Sequence, residues 1–133
     1  MAYNISWMIP ERLILIEVAE ILTAEEIIAV TKQYMQMMDE DGKPPVHTLV
    51  DARLLDKVDI KVKDLPSLLV GGKKDSRFGW SFIVTHNRFI TFLTSMASHL
   101  TSSQFKTTDT MEEALQTFSR LDTTLPQEML IGA

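Results

Sequence analysis

Three histidines, His47, His86 and His99, are the side chains of this sequence that ordinarily titrate near neutral pH. They are scattered and lack the close spacing of a metal-ligand set, so no metal site and no cofactor are expected. His86 stands apart because it follows an apolar run, Trp80-Ser81-Phe82-Ile83-Val84-Thr85, and precedes Asn87-Arg88. A histidine acting as a general base needs an orienting carboxylate, and Asp51 and Asp109 follow comparable runs. No Ser/His/Asp signature accompanies the three, and an exposed loop histidine is the plainer reading. Arg88 falls in the first turn of an expected helix, where a cation opposes the helix dipole at a cost of about 0.3–1 kcal/mol. With Asn87 as cap and the free N–H groups of that turn, it could hold an anion. His86, Asn87, Arg88 and Asp51 therefore form the candidate ligand- or anion-binding set. A solvated arginine whose stem covers apolar surface is the competing account of Arg88.

Two other surfaces are readable. Lys57, Lys61, Lys63, Lys73, Lys74 and Arg77 crowd one stretch that contains three acids, Asp59, Asp64 and Asp75, on a chain whose net charge is −5. Such a patch could meet an acidic partner or an anionic headgroup, although charge runs are usually solvated faces. From Phe89 to Phe105, 17 residues pass without an Asp, Glu, Lys or Arg. In the helix expected from Arg88 to Leu100, Phe89, Leu93, Met96 and Leu100 face a sheet, and Thr91, Thr94, Ser95 and Ser98 lie opposite. A monomer normally keeps charge on an exposed helix face, so this small hydroxyl face is a candidate homodimer interface.

The elements that must position these residues follow from periodicity and punctuation. Ser6–Ile9 and Leu13–Val18 are apolar runs split by Pro10-Glu11-Arg12, which predicts a hairpin. Thr23 opens a helix with Glu26 at its third position, a capping box, and Asp41-Gly42-Lys43-Pro44-Pro45 ends it. One half of that helix carries Ile27, Ile28, Val30, Thr31, Tyr34, Met35, Met37 and Met38, the face of a helix laid on a sheet. Val46–Asp51 reads as a buried strand. The mixture from Ala52 to Lys63 has no assignable period. Asp64 caps a short helix through Leu69, closed by Gly71-Gly72. Trp80–Thr85 is the fourth strand and Gln104–Thr107 the fifth. Asp109, with Glu112 three residues on, caps a last helix whose stripe is Met111, Ala114, Leu115, Phe118 and Leu121. Asp122–Ala133 is a tail with no clear period.

The order β-β-α-β-α-β-α-β-α predicts an α/β fold: an N-terminal β-hairpin, then alternating units, in a mixed, mostly parallel sheet of about five strands with about four helices. With 133 residues and 45% apolar content the chain is one globular domain, its core about 5–122 and a tail at 123–133. Cysteine is absent, which excludes disulfides and thiol catalysis. The acidic balance argues against nucleic acid. No apolar run reaches membrane-spanning length, and no signal region is visible, so a cytoplasmic protein is expected.

This order of elements resembles the STAS-like (SpoIIAA-like) domain family over about Ile5 to Asp122. The residues that carry the resemblance are Leu13–Val18 followed by Ile21-Leu22-Thr23-Ala24-Glu25-Glu26, the strand Val46–Asp51, and Phe105–Leu115. The resemblance implies a small domain that regulates, binds a protein partner or holds an apolar, lipid-like ligand. The family's anti-sigma-factor antagonists carry a phosphorylated Ser or Thr after the third strand; Asp51–Pro66 contains no Ser, Thr or Tyr, so that switch is not carried over. With no nucleophile, metal set or glycine-rich phosphate loop, a non-enzymatic regulatory or binding module is the expected function. A small enzyme using His86 with Asp51 or Asp109 is the alternative.

Overall fold

The computed structural model describes residues 3–61, 63, 78–88, 90, 91, 95 and 104–130. Strands β1 (Tyr3–Ile9) and β2 (Leu13–Thr23) make the expected antiparallel hairpin. Its turn is closed by the Arg12 N–H donating to the Ile9 carbonyl at 3.1 Å. Pro10 supplies the fixed φ of the first central position. Glu11 takes φ 72°, the left-handed value that the second central position of a type II turn demands. Helix α1 (Ala24–Asp41) begins at Thr23, where both halves of the capping box form. At its end the Gly42 N–H donates to the Met38 carbonyl.

Strands β3 (Val46–Asp59), β4 (Phe78–Val84) and β5 (Phe105–Thr108) follow, then helices α2 (Met111–Leu121) and α3 (Gln127–Leu130). Arg88, Ile90, Thr91 and Ser95 are also helical. The five strands form one sheet in the order β1-β2-β3-β4-β5, antiparallel at β1–β2 and parallel elsewhere. This is the mixed, mostly parallel α/β sheet that the element order predicts. Among the described residues no helix is long and apolar enough to cross a membrane.

The sheet carries a core on each face. One gathers Ile14, Ile16, Val18, Val30, Met38, Ala52, Leu55, Val58 and Ile90, so α1 and the helical residue Ile90 cover it. The other gathers Ile9, Leu13, Leu49, Phe82, Val84, Ala114 and Phe118 together with Leu125 and Leu130, so α2 and the chain after it cover that face. The segment read as a tail thus supplies two buried leucines to the core.

Several sequence expectations shift. β2 and β3 run well past Val18 and Asp51, pairing as far as Thr23 and Asp59. Burial along this part of β3 falls on Ala52, Leu55 and Val58, every third residue. Two register shifts against β2 explain it: each places an extra β3 residue opposite β2, so the inward position recurs after three residues instead of two. α2 is capped by Thr110 and not by Asp109, and the third-position acid is Glu113 and not Glu112. Thr108 is still a strand residue whose carbonyl accepts from the Thr85 N–H, so the chain turns one residue later than expected. Ile28 and Leu121, expected in the core, are each 43% exposed. Ile28 lies at the rim of the apolar arc of α1, and Leu121 is the last residue of α2. The helix expected over 64–69 lies outside the described residues, and α3 was not expected.

Candidate functional site

Parallel strands present their C-terminal ends as the usual place for a ligand. Asp51, His86, Asn87, Arg88 and Asp109 all arrive at that end, because Val84 pairs with both Asp51 and Thr108. They do not assemble. Asp51 is clamped by Arg53, whose Nε and Nη2 donate to the two carboxylate oxygens at 2.9 and 2.8 Å. Arg53's side-chain bond, ahead of its backbone N–H and its charge, holds the Asp51 carboxyl below the usual carboxylate range despite partial burial. His86 is exposed and shares no hydrogen bond with Asp51 or Asp109. Asn87 is the helix cap the sequence predicts: its side-chain oxygen accepts the Ile90 N–H at 3.3 Å, and its own N–H is held by Thr85 Oγ1 at 3.0 Å. Arg88 is exposed on the first turn. Thr91 and Ser95 are exposed and helical as expected, whereas Thr94 and Ser98 lie outside the described residues, as do the residues of the lysine-rich stretch from Asp64 to Arg77.

Beside this end, an open groove of about 290 Å³ lies where β1 starts and β3 first bulges. Tyr3, Val18, Ala19 and Leu54 give it apolar walls; Asn4, Glu17 and Asp51 give it a polar rim. Asn4 Nδ2 donates to Glu17 Oε1 at 3.4 Å across the hairpin. Leu54 is 76% exposed, because the bulge turns it away from the core that takes its neighbours Ala52 and Leu55. Ile21, on the paired strand, is 48% exposed. The β2–β3 ribbon is therefore buried through Val18, Ala52, Leu55 and Val58 while it holds Ile21 and Leu54 out to solvent. No periodic signal marked Leu54, since the bulges erase the alternation that would have assigned it to the outer face.

At the opposite end of the sheet lies a cluster that the sequence did not reveal. His47 is 2% exposed. Its Nδ1 accepts the Trp80 N–H at 2.9 Å, which leaves Nε2 as the protonated nitrogen, donating to Asp122 Oδ2 at 2.8 Å. The Arg12 guanidinium donates to the same carboxylate oxygen at 2.6 Å, to Thr124 Oγ1 at 3.0 Å and to the Pro45 carbonyl at 3.1 Å. The His47 ring tilts against Phe118, 5.4 Å away, which stacks on Phe82 at 4.4 Å. Burial pushes the His47 imidazolium down in pKa, outweighing the Asp122 bond and charge. Burial also opposes the Asp122 charge, yet bonds from His47 and Thr124 and the charge of Arg12 bring its carboxyl down to about 2. The state at neutral pH is a neutral imidazole on an ionised carboxylate. Gly79 makes room for it: a Cβ there would sit 2.3 Å from Nδ1. Arg12, His47 and Asp122 are 35 and 75 residues apart along the chain, so no local spacing could join them.

Among the described residues no group of three or more His, Cys, Asp or Glu could hold a metal ion. No protein-family model matches the chain, and no curated protein matches it. Among solved structures it is similar to an uncharacterised protein of the DUF3478 family with a SpoIIAA-like fold from Shewanella loihica PV-4. The two are 19% identical, with a TM-score of 0.62 over 86% of this chain and 92% of that one. The hairpin, the parallel continuation and the helices on both faces are therefore those of a SpoIIAA-like fold.

Proposed function

We propose that the chain is a non-enzymatic, cytoplasmic binding module that recognises a protein partner across the groove between Tyr3 and Leu54 and along the ribbon beside it. The observation that carries this reading is Leu54, 76% exposed on a bulge, with Ile21 exposed nearby. Exposed apolar side chains that border a groove favour a partner that would cover them. The groove is open, whereas a lipid-like ligand is better served by a concave site that encloses most of its surface. The resemblance to STAS-like domains points the same way. The alternative, acid–base chemistry at His86, gains nothing from Asp51, which is already engaged by Arg53.

The test places a photo-crosslinking residue at position 54, and as control at Gln33, an exposed residue of α1. In the native host, a discrete protein adduct is expected from position 54 and none from 33, and Ile21→Glu should abolish it. Native mass spectrometry of protein from the same cells should then show no retained small molecule. A stoichiometric lipid mass, with no adduct at 54, overturns the reading. A second reading, self-association through the hydroxyl face, is favoured by the exposure of Thr91 and Ser95; the same mass spectrum reports it, and Ser95→Glu should return a dimer to monomer.

A further inference from the structure

The cluster around His47 joins two parts of the chain that have little else polar in common. Among the described residues, every hydrogen bond from the segment Asp122–Leu130 to β2, β3 or the hairpin turn passes through Asp122 or Thr124. The donors are Arg12 and His47. The segment's other bonds are internal or return to α2: Thr124 to Asp122, Leu125 to Asp122, Gln127 to Leu125, Met129 to Pro126, and Asp122 N–H to Phe118. Its ordered helix is only four residues long. Leu125 and Leu130 are its apolar attachment, at 2% and 4% exposure.

His47 sits at the centre of this attachment with both ring nitrogens committed. Nε2 donates to Asp122, and Nδ1 has to be an acceptor because the group facing it is a main-chain N–H. A second proton can go only on Nδ1, where it would oppose the Trp80 N–H in a place closed to water. The charged groups that face the ring among the described residues are Asp122, from the end of α2, and Arg12, from the hairpin turn. β4 presents Gly79 and the Trp80 backbone, and α2 presents the Phe118 ring. The group that faces Nδ1 is a donor, the Trp80 N–H, and not an acceptor for the new proton. Asp122 attracts the charged ring, but two N–H groups then face each other at Nδ1. The close packing of Gly79 and Phe118 restricts the shift that would part them, so the strain falls on the contacts that seat the ring.

We propose that His47 latches the segment Asp122–Leu130 onto the sheet and releases it when the imidazole takes up its second proton. Release withdraws Leu125 and Leu130 from the core they share with Ile9, Leu13 and Phe82 while the sheet stays paired, so the acid form presents an apolar surface that the neutral form hides.

Hydrogen exchange of the full chain tests this, with rates corrected for the intrinsic effect of pH. Between about pH 7.5 and about pH 5.5 the amides of residues 123–130 should lose several-fold and up to about tenfold in protection while those of β2 and β3 keep theirs. In His47→Gln, whose amide can donate to Asp122 but does not titrate, that pH dependence should vanish. Equal loss of protection across the sheet, or an unchanged pH dependence in His47→Gln, overturns the latch. If His47→Gln does not fold, the imidazole nitrogen resonances of the wild type decide. They should pass from the Nε2–H tautomer to the doubly protonated ring in step with release; a ring that stays neutral while the segment frees overturns the proposal.

Discussion

Adding one methyl group at Gly79 tests the His47 geometry most directly. An ideal Cβ at that position would lie 2.3 Å from His47 Nδ1, 2.5 Å from Cε1 and 3.1 Å from Cγ. Contact distance is about 3.4 Å or more, so the ring has to retreat by about 1 Å. It has nowhere to go cheaply. Nδ1 is tied to the Trp80 N–H at 2.9 Å, Nε2 to Asp122 at 2.8 Å, and Phe118 lies against the ring. Overpacking a filled site costs about 1–3 kcal/mol, and leaving a buried donor without its acceptor costs about 1–3 kcal/mol more. Gly79→Ala should therefore destabilise by about 2–6 kcal/mol, a large part of the roughly 5–15 kcal/mol that holds a domain folded. Gly79 does not have a positive φ, so the backbone itself tolerates alanine. Alanine in a strand is better than glycine by about 0.5–1 kcal/mol where space allows. The sign should consequently reverse in a His47→Ala background, where the obstructing ring is gone. Urea denaturation of the four proteins in this double-mutant cycle gives the coupling as the failure of additivity. Additive effects, or Gly79→Ala that is neutral beside an intact His47, would show that the ring does not occupy the place described.

Stability should fall as the medium is acidified in two steps whose signs follow from the same cluster. His47 is held below its ordinary 6.5 in the fold, so the unfolded chain binds the extra proton first and stability drops as pH descends below 6.5. Asp122 is lowered from 3.8 to about 2, so its contribution is complete above 3.8 and disappears between there and about 2. Denaturant midpoints against pH check both, and His47→Gln should erase the upper step alone. Glu11→Gly should stabilise by about 0.5–1 kcal/mol, since a left-handed non-glycine residue costs about 1–2 kcal/mol and the exposed Lys43 ion pair it gives up is worth little. Thermal melts read that gain, and a loss would mean that the turn is not type II. Thr110→Ala should cost about 1 kcal/mol and Asp109→Ala much less, because only Thr110 accepts a first-turn N–H of α2.

How far the sequence speaks for this fold depends on which signals survive folding unmixed. The hairpin was legible because proline breaks one ladder and the residue after it carries the turn, and α1 was legible because Thr23 and Glu26 cap it as a pair. The start of α2 was misplaced by one residue because two capping-type residues, Asp109 and Thr110, stand side by side; the strand ladder at Thr108, a tertiary fact, decides between them. The second half of β3 was illegible for a sharper reason. Periodicity arguments assume one residue per register step, and β3 takes an extra residue twice between Asp51 and Lys57. Its inward residues therefore recur at Ala52, Leu55 and Val58, a period that belongs to neither a strand nor an α-helix.

The same two bulges connect that failure to the proposed docking surface. A regular strand would have alternated faces through Ala52 and Leu54, burying both or neither. Here Ala52 and Leu55 go inward and Leu54 is left outside, at the mouth of the groove. Left-handed Glu20, with φ 62°, sits at the second shift on the facing strand, a backbone state that a non-glycine residue holds only when its surroundings impose it. Strain and irregularity thus coincide with the most exposed large apolar side chain among the described residues, and regular pairing resumes from Lys57 to Asp59. Bulges recur where a strand must re-aim a side chain, and this pair aims Leu54 at solvent beside a groove whose apolar walls a partner would extend. The stretch of sequence that resists assignment to a regular strand is therefore the stretch in which the fold departs from regularity and leaves Leu54 outside, where the proposed partner would cover it.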